Sequence, residues 1–272
     1  MQESYNPKEF EEMKKVAFDA AIEAGKIIEK YFHANIEKTQ KTRGDYVTQA
    51  DKDVEKRVRE MIRAKFPGAH ISGEELGRTE DYDDRGFHWL IDPLDGTVNF
   101  TFGFPNITTI ITIARGNVPV FVVNYQPMTR QMPWAEKGKG AFLGDKRQHV
   151  SKISALEDAR CAIGIARTDF HAGELLELSS HAFWHFQKTT RTGSIGMTGM
   201  SMATGKMEAN IANLVPPHDV VPISMIIEEA GGKATTIDGA PLTLGMPENT
   251  LFILSNGILH DKLVEYVKKF IK

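Results

Sequence analysis

A layered α/β fold is predicted for this 272-residue chain by three observations. Two segments with helical apolar spacing come first, a stretch of β texture from Thr108 to Phe142 follows, and strands and helices then alternate to the end. The length, with 41% hydrophobic and 25% charged residues, suits one large domain or two subdomains sharing a core. We expect a single domain over 1–272, with subdomains of about 1–150 and 151–272.

The first helix is predicted from about Lys8 to His33, because Phe10, Met13, Ala17, Ala20, Ala24, Ile27 and Tyr31 recur at three and four. A second spans about Thr48 to Phe66, with Val54, Val58, Met61 and Ile62 on its apolar side and Pro67 just past its end. Between them, Lys41 to Asp45 reads as a polar turn. After Pro67 the period shortens. His70–Ser72 and His88–Ile91 read as strands, each followed at once by acidic residues. Val120–Val123 and Gln131–Ala135 continue the β texture into a turn through Gly138 and Gly140. In the second half, Cys161–Ile165, Glu208–Ile211 and Leu251–Ser255 read as strands. Glu174–Phe186, Gly193–Thr204, Val220–Ala230 and Leu259–Ile271 read as helices, the third stopped by Gly231 and Gly232.

Composition removes several classes of function. A net charge of −3 and a pI near 6.3 leave no basic footprint for nucleic acid. The first ten residues are polar and acidic, unlike a signal peptide. No apolar run approaches the roughly 20 residues of a membrane span, since Ile107 to Val123 is broken by threonines, Arg115, Gly116 and Asn117. Cys161 is the only cysteine, which excludes disulfide frameworks and thiolate zinc sites. A cytoplasmic protein is expected.

The chemistry is concentrated in Trp89-Leu90-Ile91-Asp92-Pro93-Leu94-Asp95-Gly96-Thr97. An apolar strand delivers two carboxylates, three residues apart, onto a sharp turn, and a short helix is expected near Thr97. Carboxylates and backbone carbonyls are the hard oxygen ligands Mg²⁺ prefers, and backbone N–H groups at Gly96 and Thr97 would favour a phosphate oxygen. A plain β-turn would use the same residues. Glu74 follows another apolar strand and could reach the same edge, although an isolated Gly-Glu-Glu is ordinarily an exposed loop. Asp219, after Pro216, Pro217 and His218, could equally cap a helix. Asp51, three residues after Thr48, fits the acidic half of a capping box.

Taken together, these residues resemble the inositol monophosphatase family over nearly the whole chain. Trp89 to Phe100 is similar to the family's principal signature almost residue for residue. Val47–Asp51, Gly73–Glu75, Gly138–Phe142, Arg191–Ser194 followed by Ala203–Gly205, and Glu229–Gly232 match at the expected separations. The resemblance implies an inositol-monophosphatase or sugar-phosphatase fold of alternating α-β-α-β-α layers, and Mg²⁺-dependent hydrolysis of a small phosphate monoester. It implies that Glu74, Asp92 and the Leu94 carbonyl hold a first Mg²⁺. Asp92 would bridge to a second, completed by Asp95 and Asp219, with a third, weaker ion near Glu74. Thr97, hydrogen-bonded to Asp51, would orient and deprotonate the attacking water, with Glu74 nearby. Asp95, Gly96, Thr97, Arg191, Gly193, Ser194 and Asp219 would meet substrate or phosphate. Relatives imply a homodimer and sensitivity to Li⁺.

Two departures bear on what the chain does. The family's second signature runs Trp-Asp, a variable residue, then small residues; here it reads His218-Asp219-Val220-Val221-Pro222-Ile223. The Asp survives, and Pro222 is expected in the first turn of its helix, where a missing N–H costs little. Members acting on inositol phosphate carry a Glu seven residues before that Asp, a position held here by Ala212. A methyl group cannot accept a sugar hydroxyl, so discrimination for inositol should weaken. NADP⁺, 3′-phosphoadenosine phosphates, sugar bisphosphates and histidinol phosphate are the alternative substrates. Arg191 could contact a second anionic group or serve an interface ion pair.

Other signals carry less. His181 and His185 lack the intervening Glu of a zinc-peptidase helix. Gly199–Ala203 lies in helical texture, unlike a nucleophile elbow. Gly138-Lys139-Gly140 lacks the rest of a dinucleotide fingerprint, and Met197, Met200 and Met202 suit a core. The rival readings are a non-catalytic scaffold retaining the metal and phosphate site, and a Ca²⁺-binding structural protein. The scattered ligands disfavour the second.

Overall fold

The structure, a computed structural model, describes residues 6–34, 38–42, 45–164 and 172–271. Two compact units divide the chain, Met1–Trp134 and Ala135–Lys272.

The first unit opens with α1 (Pro7–Phe32), the hairpin β1 (Lys38–Thr42) and β2 (Asp45–Thr48), and α2 (Gln49–Lys65). Asn6 caps α1 by accepting from the Lys8 amide at 3.1 Å, and Pro7 occupies its first position, where no N–H is needed. Of the polar segment expected as a turn, Lys41 and Thr42 lie in β1 and Asp45 in β2, and residues 43–44 lie outside the described residues. Next come β3 (His70–Gly73), β4 (Gly77–Arg78), β5 (Phe87–Asp95), α3 (Thr97–Thr101), β6 (Thr108–Arg115) and β7 (Val118–Tyr125). These strands stand in the order β7-β6-β5-β3-β4, with β3 parallel to β5 and the other neighbours antiparallel.

One face of this sheet is closed by the helices. The alanines Ala17, Ala20, Ala21 and Ala24 let α1 approach, while Val54, Val58 and Ile62 of α2 meet Ile71, Trp89 and Ile91 in one core. A Cβ at Gly25 would collide with the Tyr125 ring, so the closest approach of α1 requires glycine. Each fully buried Ile or Trp here contributes about 2 kcal/mol of transfer free energy.

β8 (Pro133–Glu136) carries the chain across the boundary. The second unit continues with β9 (Gly140–Leu143), β10 (Lys146–Arg147), β11 (Arg160–Gly164), α4 (Ala172–His185), β12 (Lys188–Thr190), α5 (Ile195–Ala203), β13 (Ala209–Ala212), α6 (Pro217–Glu229), β14 (Lys233–Thr236), β15 (Phe252–Ser255) and α7 (His260–Lys268). The sheet order is β12-β11-β13-β15-β14, parallel through β13 and antiparallel beyond it. Ile165, expected to end β11, lies outside the described residues. Leu178, Ala182 and Phe186 pack with Leu263, Tyr266 and Val267 against Cys161, Ile211 and Ile253. Gly231 closes α6 at φ 95, the left-handed conformation expected of it.

α6 starts earlier than its sequence suggests. Pro216 and Pro217 set the helical φ at its entrance, so Pro222 falls inside the helix rather than in its first turn. Having no N–H, Pro222 cannot itself make a backbone hydrogen bond within the helix.

Candidate active site

The central feature is a bulge in β5. The sequence predicted a turn after Ile91, but the strand runs on to Asp95, with Asp92 opposite Ile110 and Asp95 opposite Thr108. Three steps on β5 therefore match two on β6. In a regular strand, residues three apart point to opposite faces; the extra residue returns Asp92 and Asp95 to the same face. Pro93, which cannot donate to a ladder, sits in the bulge. Its carbonyl accepts from Thr109 Oγ1 at 2.8 Å, and the Leu94 amide donates to Asp92 Oδ1 at 3.1 Å. Thr108 Oγ1 donates to Asp95 Oδ2 at 2.8 Å, fixing the second carboxylate.

Gly96 then adopts φ 93, ψ 34 and hands the chain to α3. That left-handed step needs glycine, and it puts Thr97 Oγ1 3.0 Å from the Leu94 carbonyl oxygen and 3.1 Å from Asp51 Oδ1. Asp51 also completes the capping box of α2, with Oδ2 accepting from the Thr48 amide at 2.7 Å and the Thr48 hydroxyl at 2.6 Å. Cap and active-site contact coexist because the carboxylate has two oxygens. Asp51 is fully buried, and that burial pushes its carboxyl above the ordinary value, against the lowering pull of Thr48 and Thr97.

Glu74 reaches the same edge, as its position after β3 suggested. Its amide donates to the Ile91 carbonyl of β5 at 3.2 Å, and its side chain lies on the exposed loop between β3 and β4. The first unit thus brings Asp51, Thr97, the Leu94 carbonyl, Asp92, Asp95 and Glu74 to one end of β5. Among the described residues no three His, Cys, Asp or Glu side chains converge into a ready-made metal cluster. The fit to a hard divalent cation rests on the donors themselves: two carboxylates on one face, a carbonyl between them and a third carboxylate on the neighbouring loop, all oxygen.

The second unit holds the other expected residues. Asp219 is not a helix cap: Pro216 is, and Asp219 lies in the first turn of α6, its amide bonded to the Pro216 carbonyl at 3.0 Å. Its buried carboxylate lies 3.4 Å from His218 Nε2. Gly193 (φ 69) turns the chain into Ser194, whose hydroxyl caps α5 by accepting from the Met197 amide at 3.0 Å. Arg191 is exposed just after β12. Ala212 is buried at the end of β13, opposite Gly164 and Phe252.

The weaker signals resolve into structure. Ser201 bonds the Met197 carbonyl at 2.9 Å inside α5, and Met200 and Met202 are buried. His181 Nδ1 is 2.9 Å from the Tyr266 hydroxyl, and His185 stacks on the Tyr266 ring at 4.8 Å. Sequence reasoning missed Thr108, hidden in an apolar strand. It also missed Glu55, although Asp51, Val54, Glu55, Val58 and Ile62 form the buried stripe of α2 and carboxylates there invite a question.

Residues 9–272 match the model of the inositol monophosphatase family. An inositol-1-monophosphatase of Caulobacter vibrioides is 32% identical over 95% of this chain and 98% of its own length. A fructose-1,6-bisphosphatase/inositol-1-monophosphatase of Aquifex aeolicus is 29% identical, covering 98% of each chain. Among solved structures, the extragenic suppressor protein suhB of Bartonella henselae superposes with a TM-score of 0.87 at 26% identity, over 95% of this chain and 99% of that one.

Proposed function

The chain belongs to the inositol monophosphatase family and is a phosphoric monoester hydrolase, and we propose that it uses Mg²⁺ to hydrolyse a small sugar or nucleotide phosphate by direct attack of water. The observation that carries this reading is the β5 bulge, which aims Asp92 and Asp95 to one side beside the Thr97–Asp51 pair. Glu74, Asp92 and the Leu94 carbonyl would hold one Mg²⁺, and Asp92 and Asp95 another. Asp219 is proposed as a further ligand on the family pattern alone. Bound Mg²⁺ would polarise the phosphate, acidify water and stabilise the leaving alkoxide.

The chain's own part is proton handling and orientation. Thr97 Oγ1 has a single hydrogen, directed to Asp51 Oδ1 or the Leu94 carbonyl, so its lone pairs are turned to accept from water. As a water oxygen bonds to phosphorus and the ester P–O bond breaks, the water's proton passes to Thr97 Oγ1 while the Thr97 proton moves to Asp51 Oδ1. A buried carboxyl with a raised pKa is a better base near neutrality than an ordinary aspartate. Hydrolysis in ¹⁸O-water should place label in phosphate, and since no phosphorylated side chain forms on this route, trapping one would overturn it.

Substrate choice follows from Ala212. Its buried methyl offers no acceptor to an inositol hydroxyl, which supports a sugar bisphosphate or a nucleotide such as NADP⁺ over selective inositol phosphate hydrolysis. The family reading also supports two or three Mg²⁺ per subunit, a homodimer, inhibition by Li⁺ and a cytoplasmic location. Among the described residues no helix is long and apolar enough to cross a membrane. The test is phosphate release from inositol 1-phosphate, fructose 1,6-bisphosphate, NADP⁺, 3′-phosphoadenosine 5′-phosphate and histidinol phosphate, with Mg²⁺ and with EDTA. Mg²⁺-dependent release is expected. Metal binding without release from any of them would point to a non-catalytic scaffold.

A further inference from the structure

The loop between β3 and β4 is held from beneath by a carboxylate with no part in the proposed chemistry. Glu55 of α2 is fully buried. Its Oε2 accepts from the Glu75 amide at 2.7 Å, and the Leu76 amide lies 3.2 Å from both of its oxygens. Arg59, one helical turn on, donates through Nε to Glu55 Oε1 at 2.7 Å, and through its terminal nitrogen to the Gly77 carbonyl. With the Glu74 amide bonded to Ile91 of β5, each backbone N–H from Glu74 to Leu76 has a fixed acceptor. Gly73 lacks a side chain at the one place where a Cβ would overlap the Glu55 carboxylate.

A buried carboxylate is costly unless its charge is matched and its oxygens are occupied. Glu55 meets both conditions, with one guanidinium and two amides. The arrangement is more elaborate than a three-residue hairpin loop needs, since an exposed loop of that size can leave its amides to water. What the loop carries is Glu74, an exposed residue whose backbone is tied to β5 through its amide.

We propose that Glu55, braced by Arg59, is a positioning residue that fixes the backbone of Glu74 so that its carboxylate meets the cation held at the end of β5. This inference rests on the proposed metal role of Glu74. A ligand anchored in advance loses little freedom on binding, whereas a loop released from Glu55 would have to be ordered by the cation itself. Substitutions at residues that orient ligands typically weaken metal binding about 10- to 100-fold.

The test is Mn²⁺ titration of the full chain, read by loss of the free-ion EPR signal, beside steady-state kinetics at saturating Mg²⁺. Glu55→Gln keeps the shape but loses the charge; it should raise the Mn²⁺ dissociation constant about tenfold while leaving substrate KM at saturating Mg²⁺ within about twofold. Amide hydrogen exchange at Glu75 and Leu76 should accelerate in step. Arg59→Lys, which keeps the charge but not the two-pronged donor, is the milder variant should Glu55→Gln fail to fold; its metal affinity should fall about threefold. Metal affinity equal to the unaltered chain, with those two amides deprotected, would overturn the positioning role and leave the reading of β5 intact. Absence of Mn²⁺ binding by the unaltered chain would overturn both.

Discussion

Thr97 and Asp51, 46 residues apart in the chain, meet through a single hydrogen bond of 3.1 Å from Oγ1 to Oδ1. The same Asp51 caps the helix that presents it, through its other oxygen. One carboxylate therefore ties the start of α2 to the residue that follows the β5 bulge. A helix start is normally tuned for stability; in the proposed mechanism this one also places the base.

Separate substitutions should divide these two duties. Thr97→Ala removes the proton relay but not the cap, so kcat should fall about 100-fold or more with little change in thermal midpoint. Thr48→Ala removes the capping hydroxyl, costs about 1 kcal/mol of stability, and should leave kcat within a fewfold. Steady-state kinetics and thermal denaturation on the two variants check this. Equal kcat losses in both would show that the cap, not the relay, controls the rate.

The pH dependence follows from the direction of the Asp51 shift. Burial raises its carboxyl, so the carboxylate proposed as the base is lost on acidification at a pH above that of an ordinary aspartate. The acid limb of the kcat profile should fall there, and Asp51→Asn should remove the limb along with most of the activity. A limb unchanged in the residual activity of Asp51→Asn would assign it to another group.

Asp95→Asn tests the metal reading directly. Asn keeps an oxygen toward Thr108 but lowers the charge of the donor set, so Mg²⁺ affinity and turnover should both collapse while the circular dichroism spectrum and thermal midpoint stay close to those of the unaltered chain. Wild-type activity in this variant would show that the β5 carboxylates are not metal ligands.

The architecture was legible wherever period and punctuation agreed. The helices α1 and α2 follow from apolar spacing, and the second-half alternation from short runs between glycines. Less legible was anything set by pairing across strands. The Asp-Pro-Leu-Asp segment reads as a turn because those residues favour turns locally; only the register against Ile110 and Thr108 makes it a bulge. The start of α6 lies earlier than its apolar pattern suggests for the opposite reason, because prolines that usually end regular structure here begin it. Asp51 could be read as a cap or as a partner of Thr97, and no local pattern could say that its two oxygens serve both contacts. The role of Glu55 is not legible in the sequence, because its partners, the amides of Glu75 and Leu76, lie 20 and 21 residues away and leave no mark on the helical period.

Gly96 offers a geometric test of the turn that delivers Thr97. At φ 93 an added Cβ strains the backbone, and Gly96→Ala should cost about 1–2 kcal/mol if the backbone holds its shape. The alternative is relaxation toward negative φ, which would swing Thr97 away from Asp51. On relaxation kcat should fall more than KM rises, because the Thr97–Asp51 geometry is disturbed while the carboxylates of β5 stay in place; with the shape retained, stability falls and kcat holds. Kinetics alone would detect the loss, and a thermal midpoint lowered by only a degree or two would indicate relaxation rather than retained strain.

His260 sets a stability limit in the second unit. Its ring is buried, with Nδ1 2.9 Å from Ser255 Oγ and Nε2 2.9 Å from Thr235 Oγ1. The Thr235 hydroxyl also donates to the Thr236 carbonyl at 2.7 Å, and the Ser255 hydroxyl to the Lys233 carbonyl at 3.3 Å. Both hydroxyls hold the His260 ring in place. Burial, aided by the Lys233 charge, pushes its pKa down to about 4. A histidine depressed in the folded state contributes stability in full above the unfolded value near 6.5. As pH falls through that value the unfolded chain takes up a proton and the folded chain does not, so stability declines until about pH 4, where the folded ring protonates and the loss levels off. The full loss is on the order of 3 kcal/mol. Urea denaturation of the unaltered chain and of His260→Gln, between pH 7 and pH 4, should show a shallower acid decline in the variant, which is less stable at pH 7 but lacks this titration. Parallel curves would mean that some other group governs the acid limit of the fold.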